Sequence, residues 1–155
     1  MKTLNVGRYV NKWDWYVAAA MAVLVVIVFE GFIFTDRMIF GTDMVPMGYM
    51  MRKVVADYWR ANQTIPLWNP YILCGLPVVD AMHGDLFYPA ALLYLVLPLH
   101  KALGYKIVTH VWIAGIAMYV LLRTLGLRRR SSLFGGVAYM VAPYFLSLIY
   151  AGHDG

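Results

Sequence analysis

Residues 15–34, WYVAAAMAVLVVIVFEGFIF, decide the fold that the sequence predicts. As a helix this run is about 30 Å long, which is the thickness of the hydrocarbon core of a membrane. Glu30 is its only charged residue and lies near one end. A cleaved signal peptide is the alternative, but the run is long for a signal-peptide core and no small-x-small pattern follows it. We therefore predict a retained membrane-spanning helix.

The composition of the whole chain is also that of a membrane protein. Of its 155 residues, 62% are hydrophobic and 14% are charged, whereas soluble domains average about 45–50% and about 25%. The net charge is +5, but the basic residues cluster beside apolar runs and do not form a surface patch. The expected partner is therefore the lipid bilayer, and no nucleic acid is expected.

Two further apolar runs, residues 105–122 and 133–151, are long enough to cross a membrane. His110 lies inside the first run, and Pro143 inside the second. An ionisable residue within a membrane helix suggests a function, although a neutral histidine bonded to a neighbouring helix is the simpler interpretation. The prediction is an all-α integral membrane protein, one membrane domain with three transmembrane helices.

Basic residues predict the orientation of the three spans. Three cations precede the first span, and four arginines lie in the turn of residues 123–132. Because lysine and arginine are enriched in cytoplasmic loops, the N-terminus and this turn are predicted to be cytoplasmic. Residues 35–104 and 152–155 are then on the outer face.

The long outer loop is predicted to carry two helices that lie at the membrane surface. Between about residues 44 and 61, apolar side chains recur at three- and four-residue spacing, which is typical of an interfacial amphipathic helix. Residues 87–98 form an apolar run too short to span, so we expect a re-entrant or interfacial helix. The prolines and glycines of residues 65–77 indicate turns between them.

Asp43 directly precedes the first of these surface helices. An aspartate in this position is a favoured helix N-cap, worth about 1 kcal/mol. It is also a candidate catalytic or ligand-binding carboxylate, and the two roles are compatible because a carboxylate at a helix start is held rigidly.

Other polar and aromatic side chains of the outer face are candidates for a second acid, a metal or a sugar. In the loop, Asp80, His83 and Asp85 are close enough in sequence to gather around Mg²⁺ or Mn²⁺, or else they are solvated loop residues. After the third span, His153 and Asp154 either close over the loop or mark the membrane exit.

Two aromatic residues, Trp68 and Tyr71, lie in the turn-rich part of the outer loop. They are either anchors at the membrane interface or aromatic faces on which a sugar ring stacks.

Several short motifs follow one another in a fixed order. They are Gly41-Thr42-Asp43, Ile65-Pro66-Leu67-Trp68-Asn69-Pro70-Tyr71, Gly75-Leu76-Pro77, Phe87-Tyr88-Pro89, Gly135-Gly136-Val137-Ala138-Tyr139-Met140 and Ala151-Gly152-His153-Asp154-Gly155. Together they resemble the start of the bacterial YfhO-type integral membrane proteins. These are similar to the GT-C superfamily of glycosyltransferases, which use polyprenyl-phosphate sugars. The resemblance covers roughly residues 30–155.

The resemblance implies the N-terminal part of a GT-C-like fold in the bacterial plasma membrane, with further spans downstream. Family members carry an essential acid soon after the first span, and Asp43 matches that position. Thr42 precedes it and Met44 follows it, so a second acid would come from Asp80, Asp85 or Asp154, and metal dependence stays open. A fragment ending at residue 155 is expected to be inactive alone.

The activity implied is transfer of a sugar from a polyprenyl-phosphate donor to an envelope glycan or teichoic-acid-like acceptor on the outer face. Asp43 would be the base. On charge alone, Arg52, Lys53 or Arg60 would offset the charge of the leaving phosphate. The alternative is a non-catalytic multi-pass protein, either a transporter subunit or an assembly factor for envelope polymers.

Overall fold

The computed structural model of the chain describes residues 12–38, 41, 43–79, 87–143 and 147. This part of the chain is mostly helical, which confirms the all-α prediction at that level. Its elements are α1 (Lys12–Val28), α2 (Glu30–Ile33), a π-helical segment (Met44–Tyr49), α3 (Met50–Asn62), β1 (Trp68–Asn69), β2 (Leu76–Pro77), a 3₁₀ segment (Pro89–Leu92), α4 (Leu93–Val96), α5 (Leu99–Thr124) and α6 (Arg129–Met140).

Helix α5 is the only helix among the described residues that is long and apolar enough, by length and composition, to cross a membrane. Its 26 residues correspond to a length of about 39 Å. It contains the predicted span of residues 105–122 but begins at Leu99, directly after Pro98. The hydropathy pattern found only the apolar part of the helix, because residues 99–104 include His100 and Lys101.

The predicted first span, residues 15–34, forms two consecutive helices. α1 has 17 residues, and a turn at Phe29 separates it from α2. The N–H groups of Phe32 and Ile33 both donate to the carbonyl oxygen of Phe29. The break follows a run of β-branched residues and precedes Gly31, and both features lower helix propensity.

The third predicted span, residues 133–151, is described in its first half. α6 begins at Arg129, four residues before the predicted start, and ends at Met140. Pro143 follows three residues after the end of α6, and a proline disfavours helical backbone at the residue before it. Most of residues 144–151 lie outside the described part of the chain.

Helix α5 is the centre of the packing, and α1, α2 and α6 contact it. Gly115 of α5 and Gly136 of α6 allow these two helices to approach closely. A Cβ atom placed on Gly136 would lie 2.9 Å from the backbone oxygen of Gly115 and 3.1 Å from Cε of Met21. The Met21 side chain of α1 therefore fills the space beside the two glycines, and it is almost fully buried.

The predicted surface helix of residues 44–61 is present as the π-helical segment followed directly by α3. Pro46 has no N–H to donate, and the Gly48 N–H donates to the Asp43 carbonyl oxygen five residues back, at 3.1 Å. α3 packs against α4 and α5. The predicted helix of residues 87–98 is shorter than expected, since the 3₁₀ segment and α4 together end at Val96, before Pro98.

The segment between α3 and the 3₁₀ turn was predicted to contain only turns, but it also forms a small antiparallel hairpin. Trp68 pairs with Pro77, and Asn69 pairs with Leu76. The Val78 N–H extends the pairing by donating to the Leu67 carbonyl oxygen at 3.0 Å. Each strand has two residues, so the hairpin is an ordered loop and not a sheet.

Candidate functional site

The carboxylate of Asp43 is exposed at the start of the π-helical segment. The sequence placed it correctly at a helix start, but its side chain makes no capping hydrogen bond. The backbone explains the difference: φ −97° and ψ −13° are helical values, whereas a capping aspartate usually adopts an extended conformation. The carboxylate is thus not used to hold the helix.

Arg52 and Lys53, two of the three cations predicted to meet a donor phosphate, have partners on their own helix. Arg52 is buried, and its Nη1 donates to the Gly48 carbonyl oxygen at 3.0 Å. Nζ of Lys53 lies 2.6 Å from Oδ2 of Asp57, and both side chains are half exposed. The hydrogen bond and negative charge of Asp57 raise the pKa of Lys53.

Arg60, the third cation, ties α3 to the following short helix. Its Nη2 donates to the carbonyl oxygens of Tyr94 and Leu97, the latter at 2.6 Å. These belong to the last turn of α4, where carbonyl groups lack helical partners. Arg60 is separated from Asp43 by about 25 Å of helix, so the structure does not bring these two residues into one site.

The candidate aromatic residues lie in the hairpin and are exposed. The Trp68 indole lies over Gly75: a Cβ on Gly75 would be 2.7 Å from the indole Nε1, and φ of Gly75 is +115°. Only glycine fits this position. Tyr71 is 80% exposed, and its N–H donates to Oδ1 of the buried Asn69 at 3.0 Å.

A shallow pocket lies between the hairpin and α3. Its lining includes Met51, Val55, Asn69 and Val78. Its free volume is about 20 Å³, and such a volume holds about one water molecule. This pocket therefore does not accommodate a sugar ring.

The remaining candidate ligands, Asp80, His83, Asp85, His153 and Asp154, lie outside the described residues. Within the described ranges, no group of three or more His, Cys, Asp or Glu side chains is placed to hold a metal. The predicted Mg²⁺ or Mn²⁺ site therefore stays a prediction.

His110 is hydrogen-bonded on both ring nitrogens. Nδ1 lies 2.6 Å from the Lys106 carbonyl oxygen, and Nε2 pairs with the hydroxyl of Tyr88. Because a carbonyl can only accept, Nδ1 carries a proton, while Nε2 and the Tyr88 hydroxyl share the second hydrogen bond. The sequence suggested a partner on a neighbouring helix, but Tyr88 directly precedes the 3₁₀ segment.

Sequence reasoning missed the most buried carboxylate that the structure describes. Asp14 of α1 is 7% exposed. Its Oδ1 accepts a hydrogen bond from the Tyr119 hydroxyl and one from Nε of Arg129 at 3.4 Å, and Nε of Arg123 is 4.0 Å away. This group, the Asp14 cluster, joins α1, α5 and α6. An acid just before an apolar run, on the same predicted side as an arginine-rich turn, is the signal that could have found it.

Polar contacts also join the C-terminal end of α2 and the residues just after it to the N-terminal part of α5. The Tyr105 hydroxyl donates to the Ile33 carbonyl oxygen at 3.1 Å, and Nζ of Lys101 lies 2.8 Å from Oδ1 of Asp36. The hydrogen bond and charge of Lys101 lower the pKa of Asp36.

Comparison of the chain with protein-family models, with curated proteins and with solved structures gives no match. Over the described residues, the structure defines a helical protein in which one helix is able, by length and composition, to span a membrane.

Proposed function

We propose that the chain is the N-terminal part of a bacterial plasma-membrane protein with three transmembrane helices. These are α1 continued by α2, then α5, and a third span that begins with α6. The arginine-rich turn and the Asp14 cluster lie on the cytoplasmic side, and Asp43 lies on the outer side. α1 and α2 together cover about 33 Å, enough to cross the hydrocarbon core despite the turn at Phe29.

The distribution of burial supports a lipid environment. Large apolar side chains point outward from the helices: Trp15 is 73% exposed and Phe134 is 77% exposed. Polar side chains are buried inside, with Asp14 at 7% and Lys106 at 6% exposed. Water penalises outward apolar side chains, whereas hydrocarbon accepts them and requires polar groups to be satisfied within the protein.

We further propose that the protein transfers a sugar from a polyprenyl-phosphate donor to an envelope acceptor. The observation that carries this is the state of Asp43. Asp14, Asp36 and Asp57 all form ion pairs. Among the described aspartates, Asp43 alone has no ion pair or side-chain hydrogen bond. Together with the resemblance of its sequence position to the acidic position of GT-C proteins, a free carboxylate at the start of this helix supports a chemical role.

In the proposed reaction, the Asp43 carboxylate takes the proton of the acceptor hydroxyl. The acceptor oxygen attacks the anomeric carbon, and the bond between that carbon and the phosphate oxygen breaks. The phosphate leaves with the electron pair. Of the three candidate cations, Lys53 is the one that a lipid phosphate can recruit most readily, because its partner Asp57 is exposed. Trp68 and Tyr71 offer exposed faces for the sugar.

The test is sugar transfer in membranes that contain the full-length protein and labelled lipid-linked sugar. We expect Asp43→Asn to reduce transfer by about 10²–10⁴-fold, the usual contribution of a general base. Asp36→Asn is the control, because it also removes an exposed carboxylate of the predicted outer loop, and its partner Lys101 is not among the candidate phosphate-binding residues, so transfer should be retained. Full turnover in Asp43→Asn would rule out the catalytic assignment. Unchanged transfer in excess chelator would separately remove the predicted metal.

A non-catalytic transporter subunit is the second candidate, and one observation favours it. The Tyr88–His110 pair and the buried Lys106 place polar groups along α5, as transport pathways do. An assembly factor for envelope polymers is a further non-catalytic alternative. Only the transferase forms a glycosylated product, so wild-type membranes that yield none with labelled donor would favour a non-catalytic role.

A further inference from the structure

We propose that the hairpin of residues 67–77 docks onto the membrane, with its tip inserted into the outer leaflet. This inference rests on the membrane part of the proposed function and is independent of sugar transfer. It assigns a lipid-binding role to a loop that lies between two helical segments of the outer face. The occupant of the exposed hairpin surface is then the phospholipid bilayer itself.

The first support is the chemistry of the exposed side chains. Leu67, Tyr71 and Leu73 are among the most exposed residues described, Leu73 at 81%. No charged residue occurs between residues 65 and 79, although α3 just before this segment carries four. An uncharged loop that presents large apolar side chains is typical of an interaction surface and not of a solvated connection.

The second support is that the backbone holds these side chains outward. Leu73 has φ 48° and Cys74 has φ 63°, a left-handed conformation that is unfavourable for a bulky residue such as leucine. The strand pairing and the Asn69–Tyr71 hydrogen bond fix the loop on either side of this strained tip. The hairpin is therefore built to expose Leu73 instead of folding it into the pocket above α3.

The third support is further exposed apolar surface in residues 87–96. Phe87, Leu92 and Val96 are each more than half exposed. The hairpin and α4 both lie against α3, and α4 also contacts α5, the helix that we place in the membrane. Trp68 and Tyr71 would then lie at headgroup depth, where tryptophan and tyrosine are enriched. The sugar of a lipid-linked donor would lie at the same depth.

Cys74 provides a direct test, because it is exposed at the tip and is the only cysteine of the chain. A fluorescent probe on Cys74 would be examined in phosphatidylcholine–phosphatidylglycerol vesicles, with doxyl-labelled lipid or with iodide on both sides of the membrane. We expect quenching by the doxyl lipid and protection from iodide, corresponding to a depth of about 5–10 Å. In a Cys74→Ser background, Thr64→Cys is the control: it is exposed and polar, lies outside the hairpin, and should show the opposite pattern.

A reference on α5 separates the possible outcomes. Ile113→Cys, in the same Cys74→Ser background, labels an exposed position of that helix. If its probe is in lipid but the Cys74 probe is open to iodide, the hairpin inference is wrong and the membrane proposal stands. If both probes are open to iodide, both fail. Leu73→Asn replaces the apolar side chain by a polar one that tolerates left-handed φ. The hairpin should therefore still fold, but the Cys74 probe should move toward water. An unchanged depth would overturn the role of Leu73.

Discussion

The close contact between α5 and α6 leads to a quantitative prediction for Gly136→Ala. The new Cβ would lie 2.9 Å from the Gly115 backbone oxygen and 3.2 Å from Cβ of Tyr119. Neither atom is the end of a flexible side chain, so the two helices must separate by several tenths of an ångström. Overpacking of this kind costs about 1–3 kcal/mol.

Two glycines of α5, Gly104 and Gly115, are reference positions for the stability change at Gly136. A Cβ on Gly104 would meet nothing within 4 Å, so Gly104→Ala should stabilise the helix by about 0.5–1 kcal/mol through lower backbone entropy. A Cβ on Gly115 would meet Cε of Met21 at 2.7 Å, Sδ of Met140 at 3.1 Å and Cβ of Met140 at 3.2 Å. The first two are flexible thioether atoms that can move, but the Met140 Cβ is not, so Gly115→Ala should fall between the other two variants in stability.

The assay is reversible unfolding of each variant in mixed micelles, followed by helical circular dichroism under increasing SDS. The expected order of stability is Gly104→Ala above Gly115→Ala above Gly136→Ala. The first and last should differ by about 1–3 kcal/mol, which is the overpacking cost, because both substitutions gain the same helix propensity. If Gly136→Ala is as stable as Gly104→Ala, the close approach of α5 and α6 is wrong.

Two further predictions concern the ion pairs at the ends of the helices. Asp14→Asn should lower the free energy of unfolding by no more than about 3 kcal/mol, because Arg129 is partly exposed and can hydrate. The same SDS titration measures this loss. An unchanged free energy of unfolding would show that the Asp14 cluster does not hold the three helices together. Lys101 depresses the folded-state pKa of Asp36 below the ordinary 3.8. This pair therefore contributes stability above about pH 4, near the unfolded pKa, and loses it as the pH falls through the folded pKa. Unfolding titrations from pH 7 to pH 3 should show wild type more stable than Asp36→Asn at neutral pH, with a difference that shrinks as the pH falls below about 4; a constant difference would contradict the pair.

The sequence predicted where helices occur better than where they end. Hydropathy marks the part of a helix that suits hydrocarbon, so it found the apolar centre of α5 and missed residues 99–104. The turn at Phe29 was not foreseen, because the apolar run continues through it. The extent of the surface helix after Asp43 was predicted from its apolar spacing, but spacing does not distinguish a π-helical first turn from an α-helical one.

Long-range polar contacts were the least predictable part of the molecule. The partners of Asp14 are Tyr119 and Arg129, 105 and 115 residues away along the chain, and no local pattern encodes them. Arg60 illustrates the same limit. Its charge suggested a phosphate ligand, but its guanidinium binds backbone carbonyl oxygens 34 and 37 residues further on. Charge type identifies what a side chain can bind, whereas the fold decides which partner it meets.

In the membrane environment proposed above, helices gain little from burying apolar surface against one another, so close packing and polar contacts must hold them together. Along α1, α2 and α5 such contacts occur at several levels. The Asp14 cluster lies at one end, Nε1 of Trp112 donates to the Ala18 carbonyl oxygen at 3.0 Å, and the Tyr105 hydroxyl binds Ile33 at the other end.

Asp43 belongs to none of these contacts, and its side chain supports no cap. Its replacement by asparagine should therefore leave the assembly of the helices unchanged. A loss of sugar transfer in that variant would accordingly report on the proposed chemistry and not on failure to fold.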